Sequence, residues 1–114
     1  MLQIVVLISF LFHLINCKAP ELAPFGANLN VEQNEYFVLS CNIAKGTKPI
    51  NFEWFKDEIK IVPSVGLTLD FKPSSSSLTI DDTRIEHSGN YSCRASNSYG
   101  FDQSTTFLRV KGLF

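Results

Sequence analysis

Along most of the chain apolar and polar side chains alternate in short runs, the period of a strand with one buried face. Phe37 to Ile43 puts Phe37, Leu39, Cys41 and Ile43 on one side, and Ile50 to Trp54 does the same with Ile50, Phe52 and Trp54. Between them, Ala44 to Pro49 has loop composition. Lys56-Asp57-Glu58 turns the chain into a short edge piece, Ile59 to Val62. Gly66 opens a run from Leu67 to Phe71, and Lys72-Pro73 with the serines Ser74 to Ser77 reads as a flexible turn. Leu78-Thr79-Ile80 supplies two inward residues. Tyr91, Cys93 and Ala95 share a face, Asn97 to Gly100 has the composition of a hairpin turn, and Thr105 to Val110 ends the series with Leu108 and Val110 inward. No apolar spacing of three and four residues persists beyond a turn. About seven strands at intervals near ten residues predict an all-β sandwich or barrel.

The first 17 residues break the pattern. They contain no Lys, Arg, Asp or Glu, and 13 of them are apolar. Ile4 to Ile15 is too short for a membrane span and matches the hydrophobic region of a secretory leader, with polarity rising at Asn16-Cys17-Lys18. A buried core helix is the competing reading, but a helix without a polar face would have to be enclosed by the small domain that follows. The expected organisation is a signal peptide over 1–17, one domain over 18–111 and a C-terminal stub at 112–114.

Composition narrows the function. Without the leader about 39 per cent of the remaining 97 residues are apolar, ordinary for a globular domain. A net charge of −1 provides no basic field for nucleic acid, and no later stretch is long and apolar enough to insert in a membrane. Three cysteines are present. If Cys17 leaves with the leader, Cys41 and Cys93 remain, and an even pair in an oxidising compartment reads as a disulfide. Closing a loop of about 53 residues would destabilise the unfolded chain by about 4 kcal/mol.

Spacing then decides the fold. Trp54 follows Cys41 by 13 residues, Cys93 follows Trp54 by 39, Tyr91 lies two before Cys93 and Gly89 two before Tyr91. This is the immunoglobulin signature: a disulfide between two sheets, a Trp packed on it, and a Tyr whose hydroxyl secures the corner before its strand. Leu78-Thr79-Ile80 followed by His87 to Gly100, with Ala23-Pro24-Phe25, Lys45 to Pro49 leading to Phe52-Glu53-Trp54, and Leu108-Arg109-Val110, resembles I-set domains of the Down syndrome cell adhesion molecule family. The resemblance spans about residues 20 to 111. It implies a Greek-key sandwich of two antiparallel sheets with one inter-sheet disulfide. It also implies a surface adhesion and recognition module that binds copies of itself, here as the N-terminal domain of a shortened receptor. A stand-alone secreted binding protein with an immune or decoy role is the alternative. Two departures stand out. His87 replaces an Asp that usually pairs with an Arg, itself missing near Gly66, and Thr83 replaces an apolar residue, which predicts looser packing at that corner.

Candidate chemistry is sparse. His87 has no cysteine or carboxylate arrangement around it that suits catalysis or a metal, so no enzyme, cofactor or metal site is expected. Asp81 and Asp82 are adjacent at a strand end and read as solvated charge. Asn90-Tyr91-Ser92 is the only glycosylation sequon; with Tyr91 inward, Asn90 points out. A glycan there would encumber one sheet and leave the other for a partner, expected to be another immunoglobulin domain. The outward positions of that freer sheet are Tyr36, Val38, Ser40, Thr68, Asp70 and Thr79. On the opposite sheet Phe55, Tyr99, Phe101 and Phe107 are the alternative.

Overall fold

The computed structural model describes residues 16–112, so the leader up to residue 15 and the last two residues of the stub lie outside the described residues. Nine strands form two layers. The first sheet contains β1 (Glu21–Leu22), β3 (Phe37–Lys45), β7 (Ser75–Ile80) and β6 (Leu67–Phe71), in that spatial order. The second contains β2 (Leu29–Glu32), β9 (Gly100–Lys111), β8 (Gly89–Asn97), β4 (Asn51–Lys56) and β5 (Ile59–Lys60). All pairings between the described strands are antiparallel except β2 with β9, which is parallel, so the expected sandwich of antiparallel sheets is found with one parallel edge strand. The two short leading strands carry too few alternating residues to register as strands in the sequence. They form because their backbone groups pair with the ends of β3 and β9.

Alternation builds the core. Phe37, Leu39 and Cys41 from β3 and Leu78 and Ile80 from β7 face Phe52 and Trp54, Tyr91, Cys93 and Ala95, and Leu108 and Val110 from the other layer. Ile43 and Ile50, expected fully inside, are only partly buried at the end of the sandwich. The edge piece expected over Ile59–Val62 pairs only at Ile59–Lys60, beyond a two-residue turn in which Asp57 and Glu58 have φ of 49° and 70°. Positive φ at both central positions is the hairpin geometry that follows the twist of the sheet.

The largest correction concerns the serines. Ser75, Ser76 and Ser77 are not a turn: they are the first half of β7, registered against Asn42, Cys41 and Ser40 of β3. The alternation simply continues with hydroxyls, and Ser76 points inward with 2% exposure. It is tolerated there because it is doubly bonded. Trp54 Nε1–H donates to its Oγ (2.8 Å), and its own hydroxyl donates to the carbonyl of Asp70 (2.7 Å). A buried indole N–H requires an acceptor, and a serine in a strand that looks apolar-poor is how this chain supplies one.

The corner before β8 is tighter than the sequence predicts. Thr83 is fully buried; its hydroxyl donates to the Glu32 carbonyl (3.1 Å), its N–H to Glu35 O and its carbonyl accepts from Asn34 N–H. The hydroxyl bond satisfies the polar side chain in a fully buried site that the two backbone bonds already fix, so the looser packing expected is not found. A short 3-10 turn, Ile85–His87, follows, and Tyr91 Oη donates to the His87 carbonyl at 2.6 Å, as the signature requires. Burial, reinforced by Asp57, pushes the Tyr91 hydroxyl up to about 12, so it stays a donor at every physiological pH. Gly89, opening β8, has no room for a side chain: a Cβ would stand 2.8 Å from an Asp57 carboxylate oxygen and 3.0 Å from Lys56 Cε.

His87 closes this turn by accepting the Arg84 N–H at Nδ1 (2.8 Å). Partial burial, then Lys56, holds its pKa below 6.5; Arg84 acts in the same direction and Glu86 and Asp82 oppose it. The unfolded chain therefore takes up a proton first as the pH falls, so this residue's contribution is intact above about pH 6.5 and lost through the lower folded value. The thermal midpoint is expected to fall between pH 7 and 5.5. His87→Asn, which keeps an acceptor and does not titrate, flattens that interval in a melting series.

Candidate functional site

Two sheet faces remain for contact with other molecules. On the first, β3, β7 and β6 stand side by side, and their registers bring the predicted residues into transverse rows. Val38, Thr79 and Thr68 form one row, because Thr79 pairs with both of the others. Ser40, Ser77 and Asp70 form the next, through Ser77, and Asn42 with Ser75 a third. Tyr36 directly precedes β3 and stands 67% exposed at the margin of the face. Thus five of the six candidates are assembled into one patch, and Tyr36 lies at its border rather than within a strand. Reading the serines as a turn hid Ser75, Ser77 and the partnership with Asn42; continuing the alternation one step beyond Leu78 would have found them.

Short side chains dominate this face. Its first two rows carry hydroxyls and β-branched residues with Asp70, and the third carries an amide and a hydroxyl bordered by the exposed Lys72, whose N–H donates to the Ser75 carbonyl (2.8 Å). Short side chains in sheet rotamers lose little entropy on contact. Their height is set by the backbone beneath, and that backbone is fixed from inside: the Asp70 carbonyl accepts the Ser76 hydroxyl, which accepts the Trp54 indole.

The opposite face is rougher. Arg94 lies 3.9 Å over the Phe101 ring, and Lys60 pairs with Glu53 at 3.4 Å. Tyr99, Phe101 and Phe107 are 50%, 58% and 38% exposed, while Phe55 is half-buried. Small side chains at Ser92 and Thr105, whose hydroxyls meet at 2.8 Å, floor an open depression of about 460 Å³ bounded by Asp57, Glu58, Asn90 and Gln103. Asn90, the sequon residue, borders it. Asp81 and Asp82 are exposed, with Asp82 3.5 Å from Arg84. Among the described residues no group of His, Cys, Asp and Glu is arranged to hold a metal ion, and no helix is long and apolar enough to cross a membrane.

Cys41 and Cys93 are joined, as expected. The model for the immunoglobulin I-set domain matches residues 20–110. This chain belongs to the immunoglobulin I-set family. The immunoglobulin-domain family is non-enzymatic, and the chain is not an enzyme. It is 38% identical over 60 residues to the cell adhesion molecule DSCAML1 of Mus musculus, which covers 53% of this chain and 3% of that protein. Among solved structures, the Ig7 domain of Dscam1 (isoform 5) superposes with a TM-score of 0.74 at 30% identity, covering 82% of this chain and 97% of that domain. The I67–I69 fragment of titin gives 0.75 at 32% identity, covering 82% of this chain and 33% of that fragment. The resemblance to Down syndrome cell adhesion molecule domains therefore holds, and it supports a role in adhesion or recognition. The same likeness to titin shows that this I-set scaffold also serves proteins of other kinds, so the identity of the partner is a matter for the surface.

Ser76→Ala tests how far that surface depends on the core. It removes the acceptor of a buried indole N–H and the donor to Asp70, while Trp54 keeps its packing. The expected loss is about 1–3 kcal/mol, below the roughly 3–5 kcal/mol for Trp54→Ala, read by urea denaturation.

Proposed function

We propose that this domain is an extracellular adhesion module that associates with a second immunoglobulin domain, in the first instance another copy of itself, through the face of β3, β7 and β6. The leader-like opening, the disulfide and the adhesion-molecule relatives support the extracellular placement. The position as the N-terminal domain of a longer receptor is part of the same proposal, because the related adhesion molecule is a far longer chain.

The observation that carries the choice of face is its short-side-chain surface in three registered rows. Two such faces can approach closely about a two-fold axis, each row meeting its counterpart in the reverse direction, an isologous contact. The apolar contribution comes from Val38, which is 45% exposed, with Tyr36 at the border; the hydroxyls of Ser40, Thr68 and Thr79 supply exchangeable hydrogen bonds, and Asp70 sets register.

Beads coated with the secreted chain are expected to aggregate. Val38→Asp introduces like charge and removes the apolar contact at the β3 side of the patch, which is expected to weaken association at least tenfold, about 1.4 kcal/mol. Asp70→Lys is expected to weaken self-association while pairing with wild-type beads is partly retained. Unchanged aggregation by both variants, with Phe101→Asp abolishing it instead, would move the interface to the opposite sheet.

A further inference from the structure

The depression beside Asn90 has no role in the adhesion contact proposed above. It is lined by Asp57, Glu58, Asn90, Ser92, Gln103 and Thr105, and it adjoins a smaller one of about 200 Å³ that shares Glu58, Ser92 and Gln103 and is completed by Phe55 and Arg94. Together they form one open trough. It starts at Asn90 and runs along β8 to Arg94, about 13 Å at the rise of a strand. Its floor is low because Ser92 and Thr105 are small and turn their hydroxyls to each other at 2.8 Å.

Asn90 is presented for chemistry. Its backbone is held on both sides of the turn, the N–H donating to Asp57 Oδ1 at 2.9 Å and the carbonyl accepting Asp57 N–H at 2.8 Å. Its side chain is exposed and enters none of the side-chain hydrogen bonds of the domain, whereas its sequon partner Ser92 is 8% exposed. An acceptor whose hydroxyl partner is buried in the folded state must be modified before β8 is enclosed, as happens to a chain entering a secretory compartment.

We infer that Asn90 carries an N-linked glycan and that the trough is the seat of its first sugars. The donor is an oligosaccharide on a polyisoprenyl pyrophosphate. Asn90 Nδ2 forms the bond to the anomeric carbon, the bond from that carbon to the pyrophosphate oxygen breaks, and the amide gives up one proton. The covalent attachment at one end selects the occupant, and the lining suits it: carboxylates, Gln103 and the Arg94 guanidinium match sugar hydroxyls and an N-acetyl group, and Phe55 offers an apolar wall to a pyranose ring. A glycan seated there covers the face of β8 and β9 and leaves the face of β3, β7 and β6 open. The inference rests on the extracellular placement proposed above and not on the choice of partner face.

The test uses the full chain secreted from eukaryotic cells. The peptide containing Asn90 is expected to carry a hexosamine-based mass increment that Asn90→Gln abolishes. The glycosylated chain is expected to melt about 4 °C or more above Asn90→Gln, and this gap is expected to shrink below about 1 °C when Phe55→Ser and Gln103→Ala are present in both backgrounds. Enzymatic release is a poor comparator because it leaves an aspartate facing Asp57 and Glu58. An unmodified Asn90 overturns the inference entirely, and a gap of the same size with the trough residues replaced overturns the seat. Either result leaves the bead aggregation experiment intact, so the two proposals fail separately.

Discussion

Two cross-links lie side by side at the centre of this sandwich, and the outer surfaces take their positions from them. Cys93 and Trp54 are register partners within one sheet, and Cys41 and Ser76 are register partners within the other. The disulfide joins Cys41 to Cys93, and the indole N–H of Trp54 joins Ser76 at 2.8 Å. Four residues thus close a ring across the two layers, one side covalent and one polar. Phe25, at a centroid distance of 6.2 Å and nearly parallel to the indole, covers it from the strand-poor edge. The covalent link acts chiefly by restricting the unfolded chain, whereas the polar link penalises any folded arrangement in which β7 slips by one residue.

That second constraint reaches the surface. A slip of β7 would put Leu78 outside and leave the Trp54 N–H buried without an acceptor. Because the Ser76 hydroxyl continues to the Asp70 carbonyl, β6 is tied to the same register, and β6 carries Thr68 and Asp70. The register of one face is therefore a core property expressed outside. The other face is governed differently. There Ser92 and Thr105 satisfy each other, so the polar floor is stable without a ligand, and the taller Arg94, Phe55 and Glu58 border it. One sheet offers registered rows of short side chains, the other a trough beside a modifiable amide.

The reading of the sequence succeeded where burial alternates with large side chains. Phe37, Leu39, Trp54, Leu78, Tyr91 and Leu108 announce their faces because apolar area must leave water. It failed where the same period is written in small polar letters. Ser75 to Ser77 look like a turn by composition, and only the demand of the Trp54 indole for an acceptor makes Ser76 an interior residue. Thr83 misled for a related reason: its methyl packs while its hydroxyl bonds the Glu32 carbonyl, which a residue scale that ranks it below an aliphatic cannot express. Glu21–Leu22 and Leu29–Glu32 are strands because of what lies beside them, and so carry little signal of their own.

By itself, the sequence determined the fold class, the disulfide, the aromatic core and which residues face outward in the strands with large buried side chains, since these follow from cysteine spacing and a two-residue period. It also contained the sequon, a purely local pattern. Only the tertiary structure decided which outward residues stand together. Rows such as Val38–Thr79–Thr68 join positions far apart in the chain, and the trough joins the turn at Asp57 to the middle of β9. The reason is that strand order and register are set by hydrogen bonds between distant segments, and no local period encodes them.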